Sequence, residues 1–249
     1  MPRYRLTLEF DGSAFVGWQR QANGLSVQQA IEEAGAHLNG GVLPASAAAG
    51  RTDAGVHAAA LPAQLDLDRA HAPDRVRDAL NFYTRPLPLA VLDASLAPED
   101  WHARFSCTGR GYEYVILNRR APAALALGRV WHIPVPLDAA AMHAAAQRLV
   151  GQHDFSSFRA AECQAKSPLK TLDELLVARD GERIVITARA RSFLHHQVRN
   201  MVGTLAQVGR GRWGAADVAA ILEARDRRQA GETAPAEGLT FKFAKYSNG

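Results

Sequence analysis

Cysteine is nearly absent. Cys107 and Cys163 are the only two in 249 residues, and they form no CxxC pair. A disulfide framework and a cysteine zinc site are therefore not expected. No apolar run is long enough to span a bilayer. The opening MPRYRLTLEF alternates like a strand rather than reading as a signal peptide. A cytoplasmic protein without membrane attachment is the expectation. The chain also lacks GxGxxG, a Walker loop and GxSxG, so dinucleotide, P-loop and α/β-hydrolase chemistry find no motif here. Lysine is scarce too. Of the 29 basic residues only Lys166, Lys170, Lys242 and Lys245 are lysines, and the rest are arginines.

Hydrophobic residues make up 47% and charged residues 22%, an ordinary balance for a folded chain of one large or two smaller domains. The net charge of +4 is a mild basic excess, compatible with nucleic acid. Arginine makes forked contacts to phosphate, although composition bias in an alanine-rich chain would give the same count.

Tyr4, Leu6, Leu8 and Phe10 alternate with polar residues, the period of a half-buried strand. Ser26 with Gln29 forms a capping-box signature ahead of a helical face of Val27, Ala30, Ile31, Ala34 and Leu38, which Gly40 stops. Apolar runs near Val42–Ala49 and Leu61–Leu67, a helix from Pro73 to about Leu80 and a strand over Leu87–Leu96 complete the order β-α-β-β-α-β. The second half repeats it. Tyr112–Leu117 reads as a strand, and Asp138 caps an alanine-rich helix ending at Gly151. Thr171–Arg179 and Arg183–Ala190 pair across an Asp180-Gly181 turn. Helices follow over His195–Val208 and Ala215–Arg225, then a strand over Leu239–Tyr246. The pattern predicts an α+β fold of two split β-α-β halves with mostly antiparallel sheets, 1–100 and 101–249, meeting at a cleft near Pro98–Cys107.

Between two apolar segments lies GRTDAGVHA, Gly50 to Ala58. One carboxylate, Asp53, is flanked by the Arg51 guanidinium and the His57 imidazole, with a glycine on each side. A turn aspartate accounts for part of this. The other reading is a positioned carboxylate kept ionised by Arg51, as a nucleophile or base requires. In SFLHHQVRNMVG, Arg199 borders the apolar stripe, an expensive place for an unpaired charge. It needs a carboxylate or phosphate partner, and Asp53 is a candidate. His195-His196 invite a metal reading, but neighbours on a helix point about 100° apart, and no HExxH or i+3/i+4 carboxylate accompanies them. Tyr112 and Tyr114 share one strand face. Either packs in a core or stacks on a base, and Arg110 beside them could hold a phosphate. Asp11-Gly12 and Gly17-Trp18 read as a surface loop with a packed Trp.

Six blocks together resemble the TruA family of tRNA pseudouridine synthases: FDGSAFVGWQRQ, AGRTDAGVHA, WHARFS, DFSSFRA, SFLHHQVRNMVG and the late EGL. They span nearly the whole chain in the family's order. The resemblance implies isomerisation of uridine to pseudouridine at positions 38, 39 and 40 of the tRNA anticodon stem-loop, and two ferredoxin-like halves around a cleft. It implies a homodimer and neither cofactor nor metal. It puts the nucleophile at Asp53, the base-contacting tyrosine at Tyr112, the arginine that pairs with the aspartate at Arg199, and the pocket floor at Leu239. Arg51 joins them as a substrate contact. Glu113 departs from the family's more usual basic residue. Two other classes stay open on the residues alone. A phosphoryl-transfer enzyme would want Mg²⁺ and a second carboxylate in the loop, and a non-catalytic tRNA-binding module would tolerate loss of Asp53.

An arginine-rich protein on a tRNA-sized polyanion releases counterions as it binds. Its affinity for tRNA is therefore expected to fall by about tenfold or more between roughly 50 and 200 mM salt. A titration followed by fluorescence anisotropy checks this, and a flat response excludes a polyanionic ligand.

Overall fold

The computed structural model describes residues 1–247, so the last two residues of the expected second half lie outside the described residues. By internal contacts the chain divides into two units. One is Met1–Arg110 together with the stretch from Thr240 onward, and the other is Gly111–Leu239. The architecture is mixed α and β, with mostly antiparallel strands and five α-helices among the described residues. None of those helices is long and apolar enough to cross a membrane.

In the first unit β1 (Arg3–Phe10) buries Tyr4, Leu6, Leu8 and Phe10, the alternation read from sequence. Helix α1 (Val27–Ala36) starts where the Ser26 hydroxyl accepts the Gln29 amide at 3.1 Å. Strands β2 (Ala45–Ala48) and β3 (His57–Asp66) follow, then α2 (Pro73–Tyr83) and β4 (Leu89–Leu96). Pro73 sits in the first turn of α2, where no amide donor is needed. The strands run β4-β1-β3 with β2 on the far side of β3, all antiparallel. Strand β3 begins at His57, earlier than the apolar run suggested, because Ala58 also pairs with Phe10 across the ladder.

In the second unit lie most of β5 (Cys107–Leu117), the short β6 (Trp131–His132) parallel to it, and α3 (Ala139–Ala146). Strands β7 (Gly151–Asp154), β8 (Leu169–Asp180) and β9 (Arg183–Ala190) complete an order β5-β9-β8-β7. Helices α4 (Gln197–Gly209) and α5 (Ala215–Ala224) follow. The last strand, β10 (Leu239–Tyr246), pairs in parallel with β3, Thr240 opposite His57 and Phe241 opposite Ala58.

Other boundaries also differ from the sequence reading. Helix α3 is capped by Asp138 as expected but stops at Ala146, and a tight 3-10 turn carries the chain to Leu149. Gly151, at φ +112°, then opens a strand that periodicity did not show. Helix α4 begins at Gln197 rather than His195, because His196 adopts φ 61°, a left-handed conformation that a right-handed helix cannot include. Strand β5 begins at Cys107, so Tyr112 lies within the strand and not at its start.

A strap of residues 227–234 is sewn to α4. Asn200 donates to the Phe158 carbonyl at 2.8 Å and accepts from Thr233 Oγ1 at 2.7 Å and from Arg227 at 3.0 Å. Thr204 Oγ1 donates to the Asn200 carbonyl at 2.8 Å and accepts the Gly231 amide at 3.0 Å. Gly203 makes this crossing fit, since a Cβ there would run into the Glu232 carbonyl oxygen. Backbone cannot yield as a flexible side chain can. Gly203→Ala is expected to cost about 1–3 kcal/mol of stability, outweighing a helix-propensity gain of about 1 kcal/mol. The midpoint of urea unfolding reads this directly.

Candidate active site

The loop 50–56 hangs between β2 and β3 in the first unit, and His57 opens β3. Thr52, Val56 and His57 are buried, Asp53 is half-buried and Arg51 is exposed. The Val56 amide donates to the Asp53 carbonyl at 3.1 Å, closing a turn in which Gly55 takes φ +79°. That turn presents the Asp53 side chain from a fixed main chain.

What fixes it is the segment 11–18, which sequence reading had treated as a separate surface loop. The Trp18 amide donates to the Thr52 carbonyl at 3.0 Å. The Gly12 amide donates to His57 Nδ1 at 3.0 Å. Gly17 has φ +103°, and a Cβ on it would stand 2.6 Å from the Thr52 oxygen and 3.1 Å from the Asp53 carbonyl carbon. A Cβ on Gly12 would meet the Val56 carbonyl oxygen. Trp18 is 2% exposed, packed as expected. Just before the loop, buried Arg110 donates through Nε to the Ala49 carbonyl at 2.7 Å and through Nη2 to that of Arg104 at 3.0 Å. Arg110 is thus turned inward as a staple, and the phosphate-binding reading of it does not hold.

In the second unit the segment 234–239 supports three residues singled out from sequence. Arg199 Nε donates to the Ala234 carbonyl at 2.7 Å, and the Ala234 amide returns a bond to the Arg199 carbonyl at 3.2 Å. Tyr114 Oη donates to the Pro235 carbonyl at 2.8 Å, and burial pushes its phenol well above the usual tyrosine range. A Cβ on Gly238 would come within 2.5 Å of the Tyr114 ring, so that glycine lets Leu239 follow the ring closely. Leu239 is 5% exposed. Tyr112, on the same strand face as Tyr114, meets Phe193 edge-on at 5.3 Å between ring centroids.

The turn before α4 corrects the histidine argument. His195 and His196 are not on a helix, and their ring centroids are 4.0 Å apart rather than diverging. The turn is tied down by the Leu194 amide to Gln197 Oε1 at 2.8 Å, the Ala160 amide to the His195 carbonyl at 3.1 Å and the His195 amide to Cys163 Sγ at 3.4 Å. Burial pushes the Cys163 thiol up, but the amides of Ala165 and His195 and the nearby Arg159 guanidinium outweigh it and leave the thiol below its ordinary value.

Sequence reading missed Gly12, Gly17 and His57 as supports of the Asp53 loop. The glycines were visible in Asp11-Gly12 and Gly17-Trp18, but nothing local says which backbone they must approach.

A family model described as tRNA pseudouridine synthase matches residues 145–247. The chain is 63% identical over 246 residues to the tRNA pseudouridine synthase A of Rhodospirillum centenum, covering 99% of this chain and 100% of that protein. It is 60% identical to the protein of the same name from Paramagnetospirillum magneticum, over 99% of this chain and 96% of that one. Against the one from Zymomonas mobilis the identity is 55%, over 99% and 100%. Identity of this level over whole lengths, in both directions, leaves one conclusion: the chain belongs to the tRNA pseudouridine synthase A family.

Proposed function

We propose that this enzyme isomerises uridine to pseudouridine at positions 38, 39 and 40 in the anticodon stem-loop of tRNA, with Asp53 as its nucleophile. The observation that carries the reading is a single carboxylate on a turn whose main chain is clamped on both sides, in a chain similar to such synthases over its full length. The reaction breaks the N1–C1′ bond, turns the freed uracil and joins C1′ to C5. The C5 proton is lost and N1 gains one, so no oxidant or cofactor is consumed. Attack at C1′, attack at C6 and removal of a sugar proton all ask the same of the carboxylate. It must be ionised, held still and shielded from water, or hydrolysis competes. The target base must leave its stack, as in other enzymes that act on a base. Tyr112, Arg199, Leu239 and Arg51 are assigned to substrate binding. Strand order β4-β1-β3-β2 in the first unit supports a ferredoxin-like half, 1–100, and the repeated pattern supports a second, 101–249. A tRNA substrate fits the cytoplasm as the place of action.

Asp53→Asn keeps the size of the side chain and removes its charge. It is expected to form no detectable pseudouridine while binding tRNA nearly normally, because phosphate contacts dominate affinity. Turnover of unmodified tRNA with the modified positions mapped is the measurement. Pseudouridine made by Asp53→Asn, or mapped outside the anticodon arm, defeats the corresponding part of the proposal.

A chain of 249 residues offers limited surface to span a tRNA from its elbow to its anticodon arm. We therefore expect a homodimer, and light scattering of the active protein should give twice the chain mass. A fully active monomer refutes it.

A further inference from the structure

We propose that His57 is a positioning residue for the reaction, acting through its Nδ1 on the seat of the Asp53 loop. This rests on the reading of Asp53 as the reacting carboxylate.

His57 is the first residue of β3 and is 4% exposed. Its Nδ1 accepts the Gly12 amide at 3.0 Å. The same nitrogen lies 3.2 Å from Asp11 Oδ1, which would be an ion pair if Nδ1 carried a proton. One nitrogen cannot both donate to Asp11 and accept from Gly12. The Gly12 bond is the one made. The amide hydrogen points at the ring, and Asp11 Oδ1 is already engaged by the Ser13 amide at 3.0 Å and the Ser13 hydroxyl at 2.7 Å. Nδ1 thus serves as the acceptor that the Gly12 amide needs.

This bond matters because of what Gly12 and its neighbours touch. Gly12 lies against the Val56 carbonyl and Gly17 against Thr52 and Asp53. The Trp18 amide holds the Thr52 carbonyl at 3.0 Å. The loop bearing Asp53 is therefore pinned to segment 11–18 at Thr52 and, through His57, at its other end. Asp53 lies between the two pins. Losing one leaves the carboxylate present but free to shift, and a displacement of ~1 Å is enough to slow a reaction by about 10²-fold. Binding of tRNA, which draws on contacts spread over many phosphates, should barely change.

The test compares variants by where they put an acceptor. Asn places its Oδ1 close to the position of Nδ1, and Gln places its Oε1 close to that of Nε2. Single-turnover rates at saturating tRNA, tRNA affinity and thermal melting are measured for His57→Asn, His57→Gln and His57→Ala. The Gln and Ala variants are expected to lose about 10²-fold in rate with affinity within about twofold, and the Asn variant to recover at least about tenfold of that loss. A merely structural role would lower melting without this split between rate and affinity and without rescue by Asn. Gly17→Ala probes the same seat without touching the imidazole, and should also lose rate at unchanged affinity. Wild-type rates in His57→Ala, or Asn and Gln equally impaired, overturn the inference, as does a wild-type rate in Gly17→Ala. Asp53→Asn is assayed in parallel. If it turns over, the catalytic reading falls and the inference with it. If it is silent while His57→Ala is fully active, only the positioning role is lost.

Discussion

The loop that bears Asp53 depends on two places where no side chain is possible. At Gly12 and Gly17 the backbone of one segment lies directly on the backbone of another, so closely that a single methyl at either point would strike a carbonyl. Contacts of this kind differ from side-chain packing. Neither partner has a rotamer to change, so the spacing is set by covalent geometry and two hydrogen bonds. Such a mount suits the role proposed for Asp53, whose carboxylate would have to meet a reacting atom within a fraction of an ångström. The positive φ of Gly17 adds a conformation that other residues reach only at a cost.

The second unit uses the same device with different parts. Gly203 lets the strap 227–234 lie on α4, and Gly238 lets the chain pass the ring of Tyr114. Hydrogen bonds from Asn200, Thr204 and Arg227 then close the crossing, leaving the buried polar groups Asn200 and Thr204 with partners. Arg199 and Leu239 are held by that strap's continuation, so their placement follows from backbone contacts as well.

The arginine content reads differently once the donors are traced. Arg110, Arg159, Arg179, Arg199 and Arg227 each donate to main-chain carbonyls, tying irregular segments to their neighbours. A guanidinium suits this work because its planar fork presents several donors at fixed angles, whereas a lysine offers one flexible point charge. Others form ion pairs, such as Arg3 with Asp66 at 2.7 Å and Arg20 with Glu32 at 3.0 Å. Part of the arginine excess is thus structural, and the count alone overstates what is available for phosphate.

The regular elements were legible because their signals are local. The alternation of Tyr4 to Phe10, the caps Ser26 and Asp138, and the turn at Asp180-Gly181 each act within a few residues, and each lies where the pattern put it. Asp53 was legible as a candidate because a carboxylate between glycines beside an arginine is itself unusual. The left-handed His196, which shortens α4, had no local signal, and it sits in a turn held by tertiary contacts such as the amide of His195 on Cys163. Nor could sequence show that Gly12 and Gly17 seat the Asp53 loop, or that Arg110 turns inward to Ala49. These are meetings of residues some 35 to 60 positions apart in the chain, and only the folded backbone decides which carbonyl a glycine faces or which oxygen a guanidinium reaches.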